Sequence, residues 1–259
     1  MPELGLEGLL LLIVSAFLAG TVDAVVGGGG LIQLPALMVA FPGAAPVQLL
    51  ATNKLGSIAG TSTSSITYYR RVHPDLRTAL PLAVAAFAGS ALGAVVASQI
   101  PRAAFNPIVL IALLVVGAYV IFKPEVGRVE QLRHSGRRHY LAAAVTGAGI
   151  GFYDGALGPG TGSFLVFALV GWLGYAFLEA SAKAKIANFA TNLAALVIFI
   201  PQGAVMWKYG LMIAAANLAG GYVGARVAVA KGVRFIRVVF IVVVAAFAVK
   251  IGWDLAHPA

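Results

Sequence analysis

The chain has 259 residues, of which 60% are hydrophobic and 10% charged, whereas a soluble domain carries roughly 25% charged residues. With a mean hydropathy of +0.93 it cannot cover itself with polar surface, and it is expected to be an all-α integral membrane protein. The net charge of +9 sits in short loops between apolar runs, which is the pattern of cytoplasmic anchors and argues against nucleic acid; with no cysteine, a disulfide frame and a thiolate metal site are excluded.

The chain starts "MPELGLEGLLLLIVSAF", with acids and no Lys or Arg ahead of its apolar run, so the basic leader of a signal peptide is missing and the segment is read as retained. A run from Leu6 to Val26 breaks at four consecutive glycines, Gly27 to Gly30, and a short segment from Leu31 to Phe41 follows. Three longer helices are predicted next, Pro46 to Tyr69, Leu76 to Gln99 and Ala103 to Phe122. The polar stretch "KPEVGRVEQLRHSGRRH", residues 123–139, is a linker. Beyond it the pattern returns: Tyr140 to Leu157 and Ser163 to Trp172 form a second broken pair, and helices are predicted near Phe177 to Ile200, Tyr209 to Ala230 and Phe235 to Leu255.

Asp23 and Asp154 stand 131 positions apart, and the same offset aligns Gly27 with Gly158, Gly29 with Gly160, Lys54 with Lys185, Gly89 with Gly220 and Gly93 with Gly224. This is an internal duplication: a first repeat in residues 1–122 and a second in 140–259, joined by the linker 123–139 into one transmembrane domain.

Equivalent loops carry opposite charge. "YRRVHPDLR" has Arg70, Arg71 and Arg77 where its counterpart "PQGAVMWKYG" has only Lys208; "QIPRAAF" has only Arg102 where "KGVRFIR" has Lys231, Arg234 and Arg237. Positive loops favour the cytoplasm, so the repeats are expected to be inverted, with the linker cytoplasmic. Inversion requires an odd number of crossings per half, hence three long helices plus a re-entrant hairpin. The second limb fits, since some eleven residues cover only ~16 Å of a ~30 Å core. The first limb is long enough to span, which leaves a parallel four-plus-four arrangement as the alternative. Glycines permit the hairpin tips, Pro159 favours a break, and unpaired backbone at membrane depth is tolerated only beside protein or a polar cavity.

The helix after each hairpin is the most polar of the apolar segments. "ATNKLGSIAGTSTSSITYY" offers Thr52, Asn53, Lys54, Ser57, Thr61 and Ser62; "SAKAKIANFATNLAAL" offers Ser181, Lys183, Lys185, Asn188, Thr191 and Asn192. A lysine near mid-bilayer costs ~2.5–3.5 kcal/mol on insertion scales, so it usually faces a cavity and serves a function. Lys54 and Lys185 lie roughly 12 Å inward from their helix starts, and two such cations meeting near the midplane would make an anion site. The bland readings are snorkelling lysines, evenly weighed for Lys183, and hydroxyl and amide groups that merely join helices. The tips at Gly28, Gly29 and Gly30 and at Gly160, Thr161 and Gly162 open short helices whose free N–H groups favour anions, although no P-loop sequence follows. Gly89, Gly93, Gly220 and Gly224 have the small-xxx-small spacing of close helix packing.

Asp23 and Asp154 would pair with a lysine, cap the hairpin backbone or relay protons. The histidines are placed in loops or the tail, without metal-ligand spacing, so no metal or cofactor is expected. Arg226 is read as snorkelling, and Trp172, Trp207, Tyr68 and Tyr69 as an interfacial belt.

The motifs "DAVVGGGGLIQLPAL", "ATNKLGSIAGTSTSSITYYR", "GFYDGALGPGTGSFL" and "SAKAKIANFATN" resemble those of the TauE/SafE family of sulfite exporter-type permeases. The resemblance implies a multi-pass transporter of the bacterial inner membrane built from two homologous halves and acting on small anions, chiefly sulfite, sulfonates or some carboxylates. The family's motif residues fall on Asp23, Gly27 to Gly30, Thr52, Asn53, Lys54, Asp154, Gly158 to Gly162, Lys185, Asn188 and Asn192; Gly28 stands where the second half has Pro159. The expected function is therefore a secondary anion transporter and not an enzyme. Its partners are a small anion, the bilayer and a coupling proton or cation, and a homo-oligomer is compatible with the pattern. An uncoupled anion channel is the alternative; an intramembrane acid pair is disfavoured because Asp23 and Asp154 lie in separate repeats.

Overall fold

The structure is a computed structural model and describes residues 4–101, 103–105, 107–111, 114, 130–231, 245, 249 and 253. Helix α1 (Leu6–Val26) ends where Gly27 turns left-handed, at φ 79°, and donates its amide to the Asp23 carbonyl. Glycine alone adopts that conformation without strain, so the chain can reverse into α2 (Gly30–Ala40). Next come α3 (Pro46–Val72) and α4 (Leu76–Ala97), separated by the three residues His73–Asp75. In the second half, α5 (Gly136–Ala156) and α6 (Thr161–Ala168) form the matching broken pair, and α6 runs on as a wider π turn, Leu169–Leu173. Helices α7 (Phe177–Phe199) and α8 (Trp207–Lys231) follow.

These bounds agree with the sequence pattern to within a few residues, with one consequential difference. Helix α5 begins at Gly136, so the end of the expected linker is helical. His139 is therefore a buried helix residue whose Nε2 lies 2.7 Å from the Tyr175 hydroxyl and 3.2 Å from Thr78 Oγ1, contrary to its expected place in a loop. The basic sequence around it reads as linker because Arg137 and Arg138 obscure the apolar face that starts behind them. Tyr68 is also corrected: it is buried and donates its hydroxyl to the Ala24 carbonyl, so it is no part of an interfacial belt, whereas Tyr69, Trp172 and Trp207 are exposed. The helices expected at 103–122 and 235–255, with the cationic positions Arg102, Arg234 and Arg237, lie wholly or largely outside the described residues.

Among the described residues, four helices are long and apolar enough to cross a membrane: Leu6–Val25, Leu76–Ala97, Phe177–Phe199 and Trp207–Ala228. Helix α3 has the length but is too polar along its inner face, where Thr52, Asn53, Lys54, Thr61 and Ser64 are buried. Outward, Leu10, Val14, Leu80, Val84, Leu141, Val145, Val197 and Leu211 are exposed. Apolar outside and polar inside suits a chain surrounded by lipid, where packing and interhelical hydrogen bonds, not the hydrophobic effect, hold helices together.

The packing exchanges helices between the halves. Helix α1 packs on α8 and α4 on α5; α3 packs on α8 and α4 on α7; α3 and α7 meet at the centre. A methyl added at Gly220 or Gly224 would collide with the carbonyls of Phe17 or Thr21, and one at Gly89 or Gly93 with those of Ala148 or Phe152. Those contacts correspond pairwise at the 131-residue offset, and in each the residue numbers rise together, so α1 runs parallel to α8 and α4 to α5. The α3–α8 seam behaves likewise, from Met206 N donating to Thr52 Oγ1 (3.1 Å) to Thr63 Oγ1 donating to the Leu218 carbonyl (3.3 Å). So does the α4–α7 seam, from Ser90 donating to the Thr191 carbonyl (2.8 Å) to Ser98 donating to Gln202 Oε1 (2.9 Å).

Candidate functional site

The two hairpin tips touch at the middle of the bundle. Ser163 N donates to the Gly27 carbonyl at 3.0 Å, and the Gly27 and Gly162 backbones are in direct contact. A side chain on either glycine would force the tips apart, which accounts for the residue type that interrupts both helices.

Around this contact the acids and lysines pair across the halves. Lys54 on α3 lies 2.6 Å from Asp154 at the end of α5, and Lys185 on α7 lies 2.8 Å from Asp23 at the end of α1. All four residues are buried. Lys185 Nζ also donates to the Asp23 carbonyl, and Gly29 N donates to Asp23 Oδ1 at 3.5 Å. Ionised, the four groups sum to zero. Of the roles open to Asp23 and Asp154, pairing with a lysine is therefore occupied in this conformation, and neither ammonium stands as a bare cation. A buried ion pair needs good geometry to offset desolvation, and removing one partner is strongly unfavourable.

The cavity beside these pairs has a volume of about 10 Å³ and is lined by Asp23, Gly27, Gly30, Asn53, Lys54, Ser57, Asp154, Gly158, Thr161, Gly162, Asn188 and Asn192. That is about the space one water needs, so this conformation is closed to an anion. Of the candidate residues, Thr52, Lys185, Gly28, Gly29 and Gly160 do not line it. Thr52 Oγ1 is used by Met206 N, Lys185 by Asp23, and the Gly28 carbonyl accepts from Leu31 N. Gly160 is the left-handed N-cap of α6, at φ 81°. Asn192 Nδ2 reaches Thr61 Oγ1 at 3.5 Å across the α3–α7 contact. Asn188 Oδ1 accepts from Thr191 at 3.3 Å, while the buried Asn53 Oδ1 makes no hydrogen bond. Lys183 faces elsewhere: it is buried against Glu179 at 2.6 Å and lies 4.3 Å above the Tyr175 ring.

Sequence reading missed the polar seam beside this centre. Asn217 Nδ2 donates to Gln33 Oε1 at 2.6 Å, and Gln33 Nε2 donates to the Asn53 carbonyl at 3.3 Å, all of them buried. A lone Gln in α2 and a lone Asn in α8 were the available signal. Among the described residues, no group of three His, Cys, Asp or Glu side chains is placed to hold a metal.

The profile of the family described as sulfite exporter TauE/SafE matches residues 12–251. Among relatives, the chain is 38% identical to the probable membrane transporter protein ORF9 of a Sinorhizobium species, over 100% of this chain and 97% of that protein. It is 33% identical to a probable membrane transporter protein of Haemophilus influenzae, over 97% of each. With the probable membrane transporter protein YfcA of Escherichia coli K12 it shares 34% identity, over 92% of this chain and 87% of that one. No solved structure matches.

Proposed function

The chain belongs to the sulfite exporter TauE/SafE family of membrane transporters, and from that premise we propose that it is a secondary transporter of a small anion: sulfite, an organosulfonate or a related carboxylate. Lys54 and Lys185 supply the positive charge, the hairpin tips backbone donors, and Asn53, Asn188 and Asn192 the orienting hydrogen bonds. The observation that carries this reading is the pair of buried Lys–Asp contacts made across the halves around a closed cavity. An entering anion competes with Asp23 and Asp154 for the two ammonium groups. Protonating a carboxylate as the anion arrives keeps the site's charge balanced, and this couples anion movement to protons.

The two homologous halves are inverted in this reading. Its support is the parallel packing of α1 and α3 with α8, and of α5 and α7 with α4, while only three residues separate α3 from α4. If α3 and α4 are successive crossings, every helix runs opposite to its counterpart 131 positions on. The same directions gather Arg70, Arg71, Arg77, Arg133, Arg137, Arg138, Arg226 and Lys231 at one end of the bundle and Lys208 at the other. The rich end is then cytoplasmic, in the inner membrane of a bacterial-type cell. Rocking the halves about the touching tips would expose the site to each side in turn.

Liposome flux with sulfite, sulfoacetate, taurine and a simple carboxylate under an imposed pH gradient tests this. We expect uptake of at least one anion that responds to the gradient and is abolished by Lys54→Ala and by Lys185→Ala, with both variants still inserted. Normal uptake in both variants would remove the site, and electrogenic flux indifferent to the gradient would replace the carrier with a channel. Cysteine labelling at positions 73 and 206 should report opposite sides of the membrane; labelling from one side would defeat the inversion.

A further inference from the structure

Away from the centre, a groove of about 270 Å³ opens on the outer surface between the C-terminal parts of α3 and α8. Arg70, Arg71 and Arg226 line it, and among the described residues no carboxylate does. All three arginines are exposed, and the Arg226 guanidinium is stacked 4.5 Å from the centre of the Tyr222 ring, which fixes its plane. The surface next to the groove is apolar: Ile66, Leu218, Tyr222 and Val223 are 52%, 45%, 43% and 41% exposed.

The corresponding position in the other half is a control provided by the molecule itself. At the 131-residue offset Arg70 and Arg71 become Pro201 and Gln202, and Tyr222 and Arg226 become Ala91 and Val95. The scaffold recurs there without a single charge, so helix packing does not require the arginines.

We propose that this groove binds the phosphate of an anionic phospholipid from the cytoplasmic leaflet, with the acyl chains lying along the exposed apolar faces of α3 and α8. Planar guanidinium groups match phosphate oxygens bidentately, and a negatively charged leaflet supplies the ligand on the side where basic residues gather. A free anion would find the charge but gain nothing from the apolar faces. Because α3 and α8 come from different halves, the bound lipid bridges them at one end. The choice of leaflet rests on the orientation proposed above; the binding itself does not.

The test is native mass spectrometry of the detergent-purified protein titrated with phosphatidylglycerol, phosphatidylcholine or inorganic phosphate. We expect retention of phosphatidylglycerol well above phosphatidylcholine. Each arginine removed should weaken it roughly fivefold, and R70A/R71A/R226A together on the order of a hundredfold. Lys208→Ala, at the opposite end of α8, should leave it unchanged. Arg226→Glu, an exposed single change that keeps the fold, should lose phosphatidylglycerol and leave phosphatidylcholine untouched. Equal retention of the two lipids, undiminished retention by the triple variant, or full displacement by inorganic phosphate would each overturn the proposal. None of these readouts uses transport, so failure here is separable from failure of the anion site.

Discussion

Asp23 and Asp154 occupy the same place in the two halves, near the end of the helix that leads into each hairpin, yet they are held differently. The Asp23 side chain is 12% exposed, accepts from Gly29 N, and faces a Lys185 that also reaches its backbone carbonyl. Asp154 is 2% exposed, and its carboxylate has Lys54 against it at 2.6 Å. The tips differ in the same way: Gly27 packs on the backbone of the opposite tip, while Gly158, also left-handed at φ 88°, faces the Lys54 ammonium. The charged residues recur at the 131-residue offset but their surroundings do not. The half with fewer supporting donors depends more on its ion pair.

The largest effect that would sharpen this contrast is on the carboxylates. Asp154→Asn strips the buried Lys54 of its counter-charge and should destabilise the protein by about 3–5 kcal/mol, the cost of breaking a buried pair. Asp23→Asn leaves Lys185 a backbone carbonyl and should cost less; thermal unfolding in detergent measures both, and equal losses would erase the difference. Next come the tips. Gly27→Ala and Gly158→Ala both force a left-handed residue, at about 1–2 kcal/mol. Gly27→Ala also collides with Gly162 and Ser163, adding about 1–3 kcal/mol of overpacking. The same melting assay should therefore rank Gly27→Ala well below Gly158→Ala.

A smaller effect is expected at the polar seam, which only the first hairpin possesses, since Gln33 and Asn217 correspond to Phe164 and Ala86. Asn217→Ala leaves Gln33 Oε1 unpaired and should cost about 1–3 kcal/mol, and adding Gln33→Leu should restore part of it. A double-mutant cycle on unfolding would show no coupling if the seam were idle. Smallest is the pH response of the α4 start, where Asp75 has Met206 as its counterpart at the 131-residue offset. Burial pushes the Asp75 carboxyl up, but hydrogen bonds from Thr78 and the Arg77 amide outweigh it and hold the group below its ordinary 3.8. A depressed carboxyl contributes stability above its unfolded value and loses it as pH falls through the folded one. Asp75→Asn should thus lower the melting temperature slightly at neutral pH, flatten the acid limb of the melting curve below about pH 4, and converge with the parent chain at the acid end.

Much of the scaffold was legible because its signals are local. Apolar runs, Gly27 to Gly30 and "GPGTG" locate helices and breaks from the conformations those residues allow, and the 131-residue offset matches Lys54 to Lys185 without any structure. The start of α5 was misplaced because Arg137 and Arg138 make a helical turn look like a loop. Tyr68 was misjudged because an aromatic beside Arg70 reads as interfacial until its hydroxyl finds the Ala24 carbonyl.

The sequence by itself determined that the chain is helical and apolar, broken twice beside an acid, and supplied with a lysine on the helix after each break. Periodicity, glycine's freedom and the cost of burying charge in lipid are properties of short segments. Which acid meets which lysine was decided only by the tertiary structure. The halves exchange helices, so the end of α5 abuts α3 and the end of α1 abuts α7, contacts across more than 90 residues that no local preference encodes. The same packing shut the cavity, because two glycine tips without side chains can approach until their backbones touch.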